Sequence, residues 1–325
     1  MKNSCLYCYE PIDKGRDFHE KCSLEFFGTL TSPKITYSLD QMDELAKNVV
    51  ERSVAVPGVQ AKLSMSLVRG TKKKSDTRLT VVGALGGQYI FKPPSDRFPE
   101  MPGNEHVTMR IAEAFGIRVV PSSLIRLASG EISYITKRID RTENGEKIHM
   151  IDMFQITEAF DKYKSSMEKI GKALDNYSQN TLLDKIFYFE LVLFSFLTGN
   201  NDMHLKNFSM IKSPSGWILS PAYDLLNIAI LFPEDKEELA LTISGKKKKL
   251  KPEHFEQLGA GLNLTKRQIA GAFKRMTKNR SKAMSWINRS FLSDDMKNAY
   301  KEVLKKRYEQ IGLTEYYQNR NTTTE

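Results

Sequence analysis

A chain of 325 residues, 40% hydrophobic and 27% charged, carries enough apolar material for two cores. No run reaches the roughly 18 apolar residues of a membrane helix and no apolar leader follows Met1, so a cytoplasmic protein with no membrane partner is expected. The net charge of +10 favours acidic partners such as nucleotides, nucleic acid or acidic proteins, without sequence specificity.

All three cysteines fall in the first 22 residues. An odd number in a reducing compartment argues against a disulfide frame. Cys5-x-x-Cys8 followed by His19-x-x-Cys22 instead offers two ligand pairs that could close a tetrahedron around one Zn²⁺. Such a closed site is structural, and residues 1–28 are read as a zinc knuckle. The competing reading is a chance cluster of small buried thiols.

Residues 38–50 have a helical apolar stripe. Residues 54–65 form an extended loop with one glycine, Gly58, leading into a strand. Residues 79–85 and 88–92 are strand-like, and Gly86-Gly87 between them predicts a two-residue hairpin. Lys92 ends the second strand. Residues 104–115 read as a helix stopped by Gly116. A strand-end Lys followed by a helix carrying Glu105 or Glu113 is the order in which kinases place the phosphate-contacting Lys and its carboxylate partner. Glu105, at the helix start, either complements the helix dipole or faces the site, and the second role is preferred. Residues 131–139 form a further strand, ending Lys137-Arg138-Ile139, where a bilobal kinase has its hinge.

From about residue 150 the pattern turns helical. Residues 181–197 are the most apolar segment, read as a buried core helix. Directly after it, Asp202 and Asn207 have the D-x-x-x-x-N spacing of a kinase catalytic loop. Residues 208–211 and 217–220 flank the turn cluster Ser213-Pro214-Ser215-Gly216 as a hairpin, and Asp224 follows. In that chemistry the first Asp takes the proton of a hydroxyl, while the Asn and second Asp hold Mg²⁺. Thr265 to Gln268 is a capping box opening a helix through Met276. Ser293 opens a last helix stopped by Gly312. The tail from residue 318 reads as disordered.

Several runs together resemble the HipA family of toxin serine/threonine kinases, in its short HipT-like form. They are Pro57-Gly58-Val59-Gln60-Ala61-Lys62-Leu63, Tyr89 to Pro93, Tyr134 to Arg141, Gly199 to Ser209 and Pro221 to Asp224, in the family's order. The resemblance implies an α+β, bilobal protein-kinase-like fold, with a β-rich lobe over residues 29–140 and a helical lobe over 141–317. It implies that Asp202 is the catalytic Asp, with His204 and Lys206 beside the transferring phosphate. Asn207 and Asp224 would bind Mg²⁺, and Lys92, partnered by Glu105, would contact ATP. Pro57, Gly58, Val59, Gln60 and Lys62 would cover the nucleotide, Lys137, Arg138 and Ile139 would form the hinge, and Tyr223 would line the site. An aminoacyl-tRNA synthetase is the implied substrate. A small helix-turn-helix antitoxin and a HipS-like subunit are the implied partners, with DNA reached only through the antitoxin. Longer members autophosphorylate a serine three residues before the loop glycine; here that position is Ala55, with Ser53 nearby.

Two other classes fit parts of the pattern: a small-molecule kinase of the aminoglycoside type, and a zinc-knuckle, nucleic-acid-binding pseudokinase. Asp and Asn are also common turn residues, so each site residue taken alone could be a loop cap.

Overall fold

The computed structural model describes residues 3–42, 44–45, 62–69, 77–82 and 86–313. The chain divides into two units: one of Met1–His106, Val120–Lys147 and Arg289–Phe291, the other of Val107–Val119, Ile148–Asn288 and Leu292–Glu325.

The first unit is built on a six-stranded sheet of β1 (Lys34–Ile35), β2 (Leu63–Arg69), β3 (Thr77–Val82), β4 (Tyr89–Lys92), β5 (Ser122–Arg126) and β6 (Ile132–Lys137). Their spatial order is β1-β3-β2-β4-β6-β5, antiparallel except for the β1–β3 pair. Alternation along β2 buries Leu63 and Met65, which face Phe91 and Tyr89 of β4 across the ladder. Such same-face apolar pairs fix the register, because a one-residue slip would expose all four.

The expected hairpin at Gly86-Gly87 does not form. β3 and β4 pair with opposite sides of β2 rather than with each other. Gly87, at φ +81°, sits so close to β2 that a Cβ there would lie 2.7 Å from the Met65 carbonyl oxygen. The Gln88 amide donates to that same carbonyl at 2.9 Å. The segment therefore runs past β2 to reach its far edge, where β4 finds its apolar partners.

Helix Met101–Ala114 starts before the expected Asn104, because the first turn of a helix accepts Pro102 without losing a hydrogen bond. Gly116, at φ +85°, follows its end. Of the stripe at 38–50, residues 39–42 and 44–45 are helical, and 46–50 lie outside the described residues. The loop residues Ser53, Ala55, Pro57, Gly58, Val59 and Gln60 also lie outside them; Lys62 is described and exposed.

The second unit packs helices around Thr181–Leu197, whose burial is unbroken from Tyr188 to Leu197. That is a core helix rather than an amphipathic one. At its start, fully buried Asp184 accepts from the Ser178 hydroxyl at 2.7 Å, the Leu219 amide at 2.6 Å and Arg118 at 3.2 Å. Asp184 thereby fastens a small sheet of β7 (Met150–Asp152), β8 (Ser209–Ser213) and β9 (Gly216–Leu219). Replacing Asp184 with Ala should lower unfolding free energy by about 3 kcal/mol, measured by denaturant titration, because it strands a guanidinium and two buried donors.

The hairpin before Asp224 forms as expected, Ser213 pairing with Gly216 across Pro214-Ser215. So does the capping box, in which Gln268 N donates to Thr265 Oγ1 and Thr265 N to Gln268 Oε1. The helix it opens continues to Arg289 instead of ending at Met276. Met276, Asn279, Ala283 and Ile287 extend the buried stripe at helical spacing, and no Gly or Pro falls between Met276 and Arg289. Among the described residues, no helix is long and apolar enough to cross a membrane.

Candidate active site

In the first unit the sheet presents Lys92 at the end of β4, and helix Met101–Ala114 presents Glu105. Lys92 Nζ lies 2.6 Å from Glu105 Oε1, with the residues only 2% and 0% exposed. The ammonium also stands 5.2 Å from the centroid of the Tyr134 ring. Glu113, the other candidate carboxylate, pairs with Arg110 on the helix surface at 2.7 Å. The choice between them thus falls on Glu105.

At the expected hinge, the Lys137 amide donates to Pro121 O and the Arg138 amide to Gln88 O. Among the described residues, Ile139 is the one of the three whose amide has no backbone partner. The Arg138 side chain is held by Asp140 at 2.7 Å. Burial lowers the pKa of Lys137, whose Nζ sits 5.6 Å from the Phe26 ring centroid.

In the second unit the polar stretch after the core helix is a loop closed by its own residues. Asn207 Nδ2 donates to the Asp202 carbonyl at 2.9 Å, and the His204 amide donates to that same oxygen at 2.8 Å. Five residues spanned by a short 3-10 turn (Leu205–Asn207) set this distance, which is why the Asp–x₄–Asn spacing matters. Because a carbonyl can only accept, the Asn207 amide orientation is fixed, and its Oδ1 keeps its capacity as an acceptor.

The Asp224 segment is tied to both flanks of this loop. Before Asp224, the Tyr223 hydroxyl donates to the Lys206 carbonyl at 3.0 Å and shares a hydrogen bond with Ser209 Oγ. After it, the Ile228 and Ala229 amides donate to the Gly199 carbonyl at 3.0 Å. Gly199, at φ +70°, has no room for a side chain: a Cβ would lie 2.7 Å from Asn227 Oδ1. Asp224 itself takes a left-handed backbone, φ +55°. Both carboxylates act on His204. Burial lowers the pKa of this imidazole, and Asp202 and Asp224 partly oppose that by favouring its charged form. The donor set of one carboxylate and one amide oxygen suits Mg²⁺, which takes one or two protein ligands and fills its shell with water and phosphate oxygens.

Exposed Lys206 lies over the Phe154 ring at 4.8 Å, so it is oriented rather than loose. The hydroxyl of Tyr223 is committed within the loop, and burial raises its pKa. Sequence reasoning missed Tyr163. Its hydroxyl donates to Asp202 Oδ1 at 2.7 Å, its ring packs edge-on against His204, and the neighbouring Lys162 carbonyl accepts from the Leu205 amide. Burial, then the Asp202 bond, raises the phenol pKa, so it stays a donor at neutral pH. Nothing in an irregular loop 39 residues upstream signals such a contact. Tyr163→Phe should lower unfolding free energy by about 1.5 kcal/mol, measured by denaturant titration, since it removes a hydrogen bond to a charged group.

The N-terminal ligands also come together. Cys5, Cys8, His19 and Cys22 place their ligand atoms within 4.8 Å of one another, the one such metal-ready group among the described residues. His19 Nδ1 lies 3.4 Å from Cys8 Sγ and 3.7 Å from Cys22 Sγ. Ligands on a tetrahedral zinc, with bonds of about 2.3 Å to sulfur and 2.0 Å to nitrogen, stand roughly 3.5–3.8 Å apart. His19 Nε2 lies 3.0 Å from the Pro11 carbonyl, so it carries the proton and leaves Nδ1 bare for a metal. A hydrogen bond from Cys8 holds the Cys5 thiol down to about 4, and burial raises Cys22 to about 11.

A strand lysine paired with a helix glutamate, then an Asp–Asn loop, a hairpin and a second Asp, is the chain order of α+β folds of the protein-kinase type. Residues 54–284 match the model of the HipA-like C-terminal domain, and the chain belongs to that family. It is 32% identical over 246 residues to Y4dM of Sinorhizobium fredii, covering 70% of this chain and 57% of that protein. It is 24% identical over 181 residues to the serine/threonine-protein kinase toxin HipA of Shewanella oneidensis, covering 50% of this chain and 41% of the toxin. The fold is similar to that of Shewanella oneidensis HipA in its complex with HipB and operator DNA. There the TM-score is 0.66 at 22% identity, over 82% of this chain and 70% of that one. The chain spans at most 59% of the length of the curated relatives it matches.

Proposed function

We propose that the chain is an ATP- and Mg²⁺-dependent serine/threonine protein kinase of a HipA-like toxin–antitoxin system, acting in the cytoplasm. The buried Lys92–Glu105 pair carries this reading. Removing two charges from water is costly and gives a fold little in return. A kinase has a use for the arrangement, because the glutamate aims the ammonium at nucleotide phosphates.

Lys92 holds the phosphates, the segment from Pro57 to Lys62 covers them, and Ile139 offers its amide to adenine. Asp202 orients the acceptor hydroxyl and takes its proton. Tyr163 occupies one carboxylate oxygen of Asp202 and leaves the other to the acceptor. Asn207 and Asp224 hold Mg²⁺, which when bound neutralises charge on the β- and γ-phosphates. Lys206 and His204 flank the transferring group, and catalysis is chiefly positioning and charge neutralisation. A structural Zn²⁺ on Cys5, Cys8, His19 and Cys22 completes the cofactor set.

An aminoacyl-tRNA synthetase is the proposed substrate. A small helix-turn-helix antitoxin and a HipS-like subunit are the proposed partners, with DNA bound through the antitoxin. The solved HipA–HipB–operator complex of a protein of the same fold supports the antitoxin and DNA part of this reading. Incubation with Mg-ATP labelled on its γ-phosphate should yield labelled phosphoserine or phosphothreonine, on the chain itself or on a synthetase. Absence of transfer by protein that binds ATP would overturn the reading. Comparing phosphoproteomes of cells expressing wild type and Asp202→Asn would then name the substrate.

A further inference from the structure

The knuckle packs against the neighbours of both members of the Lys92–Glu105 pair: His106 beside Glu105, and Tyr89 on the strand that ends in Lys92. Tyr9 directly follows Cys8, and its left-handed backbone (φ +64°) is held by an amide donated to the Cys5 carbonyl at 2.9 Å. The Tyr9 ring is buried, edge-on to His106 and to Phe291, and its hydroxyl is hydrogen-bonded to His106 Nδ1 at 2.7 Å. His106 is the residue after Glu105. The other leg starts at Cys22 on helix Glu20–Phe27. Phe26 and Phe27 of that helix pack on Tyr89 at 5.9 and 6.1 Å, and Tyr89 opens the four-residue strand that ends in Lys92.

We infer that the metal-loaded knuckle is a clamp on the phosphate-binding pair, with Tyr9 a positioning residue for Glu105. This rests on the kinase and zinc assignments above. The ion joins the Cys5–Cys8 turn to the Cys22 helix. It thereby fixes the distance between the leg that ends on His106, next to Glu105, and the leg that ends on Tyr89, in the strand of Lys92. A segment of turns and one eight-residue helix is too small to be stiff alone, so a metal is what makes it stiff enough for that task. Without the ion, the legs no longer share a fixed origin. The ion pair then samples geometries that do not meet a phosphate. Nucleotide affinity should suffer first, before the chemistry at Asp202.

The test uses the full chain purified without chelator. Zinc stoichiometric with protein is expected by elemental analysis. Tyr9→Phe keeps the ligands and the ring, and removes only the hydroxyl. It should retain zinc and thermal stability close to wild type. Its affinity for a fluorescent ATP analogue should fall about three- to tenfold, appearing as a higher KM for ATP with kcat little changed. Cys22→Ser, which breaks the metal site, should show the same loss if it folds, and Tyr9→Phe decides the question if it does not. Unchanged nucleotide affinity in a zinc-loaded Tyr9→Phe protein would overturn the clamp while leaving the kinase reading intact. Metal-free wild type would overturn it too. Wild type that holds zinc but binds no nucleotide would instead overturn the kinase reading, and the clamp with it.

Discussion

Asp202→Asn should lower the rate of phosphoryl transfer about 10²- to 10⁴-fold, the range for loss of a positioned general base, while leaving nucleotide affinity nearly unchanged. The asymmetry follows from how the loop is built. Asn207 grips the main-chain carbonyl of residue 202, not its side chain, so the loop stays closed when the carboxylate becomes an amide. The amide oxygen of the new Asn can still accept from the Tyr163 hydroxyl. What disappears is the negative charge and the proton acceptor. Single-turnover rates and nucleotide binding, measured on the same preparations, would check both halves. Asn207→Ala should behave differently. It removes the loop closure and a proposed Mg²⁺ ligand together, so both affinity and rate should fall.

The loop could be read from the sequence because its logic is local. Asp202 and Asn207 are five residues apart, the hairpin turn lies within four consecutive residues, and the Thr265–Gln268 capping box spans one helical turn. Each is fixed by backbone geometry over a short span. The Gly86-Gly87 turn has an equally local signature, yet β4 joins the far side of β2. Apolar matching of Tyr89 with Met65 and of Phe91 with Leu63 outweighs two permissive glycines. Tyr163 was illegible for a related reason. A tyrosine in a lysine-rich loop carries no periodicity, and only the tertiary fold brings its hydroxyl to Asp202. The four metal-ready ligands were visible as two spaced pairs. That the residue after the second cysteine reaches His106 was not.

Lys92→Met and Lys92→Met/Glu105→Leu should separate what the buried pair does for stability from what it does for function. Removing the ammonium alone leaves a carboxylate in a site with no solvent exposure. That should cost about 3–5 kcal/mol of unfolding free energy unless the group takes up a proton. A carboxyl whose pKa is raised in the folded mutant contributes least stability at high pH, so the single variant should recover stability as pH falls. The double variant replaces the pair with apolar groups of similar volume, which in other buried pairs is neutral or stabilising. It should therefore unfold at or above the wild-type midpoint and show little dependence on pH. Both variants should nevertheless lose nucleotide binding and turnover, because neither presents a cation to a phosphate. A double variant that is stable and still transfers phosphate would show that the pair serves the fold rather than the nucleotide. A stable, inactive double variant is the expected outcome, since it leaves phosphate binding as the reason to keep two charges buried.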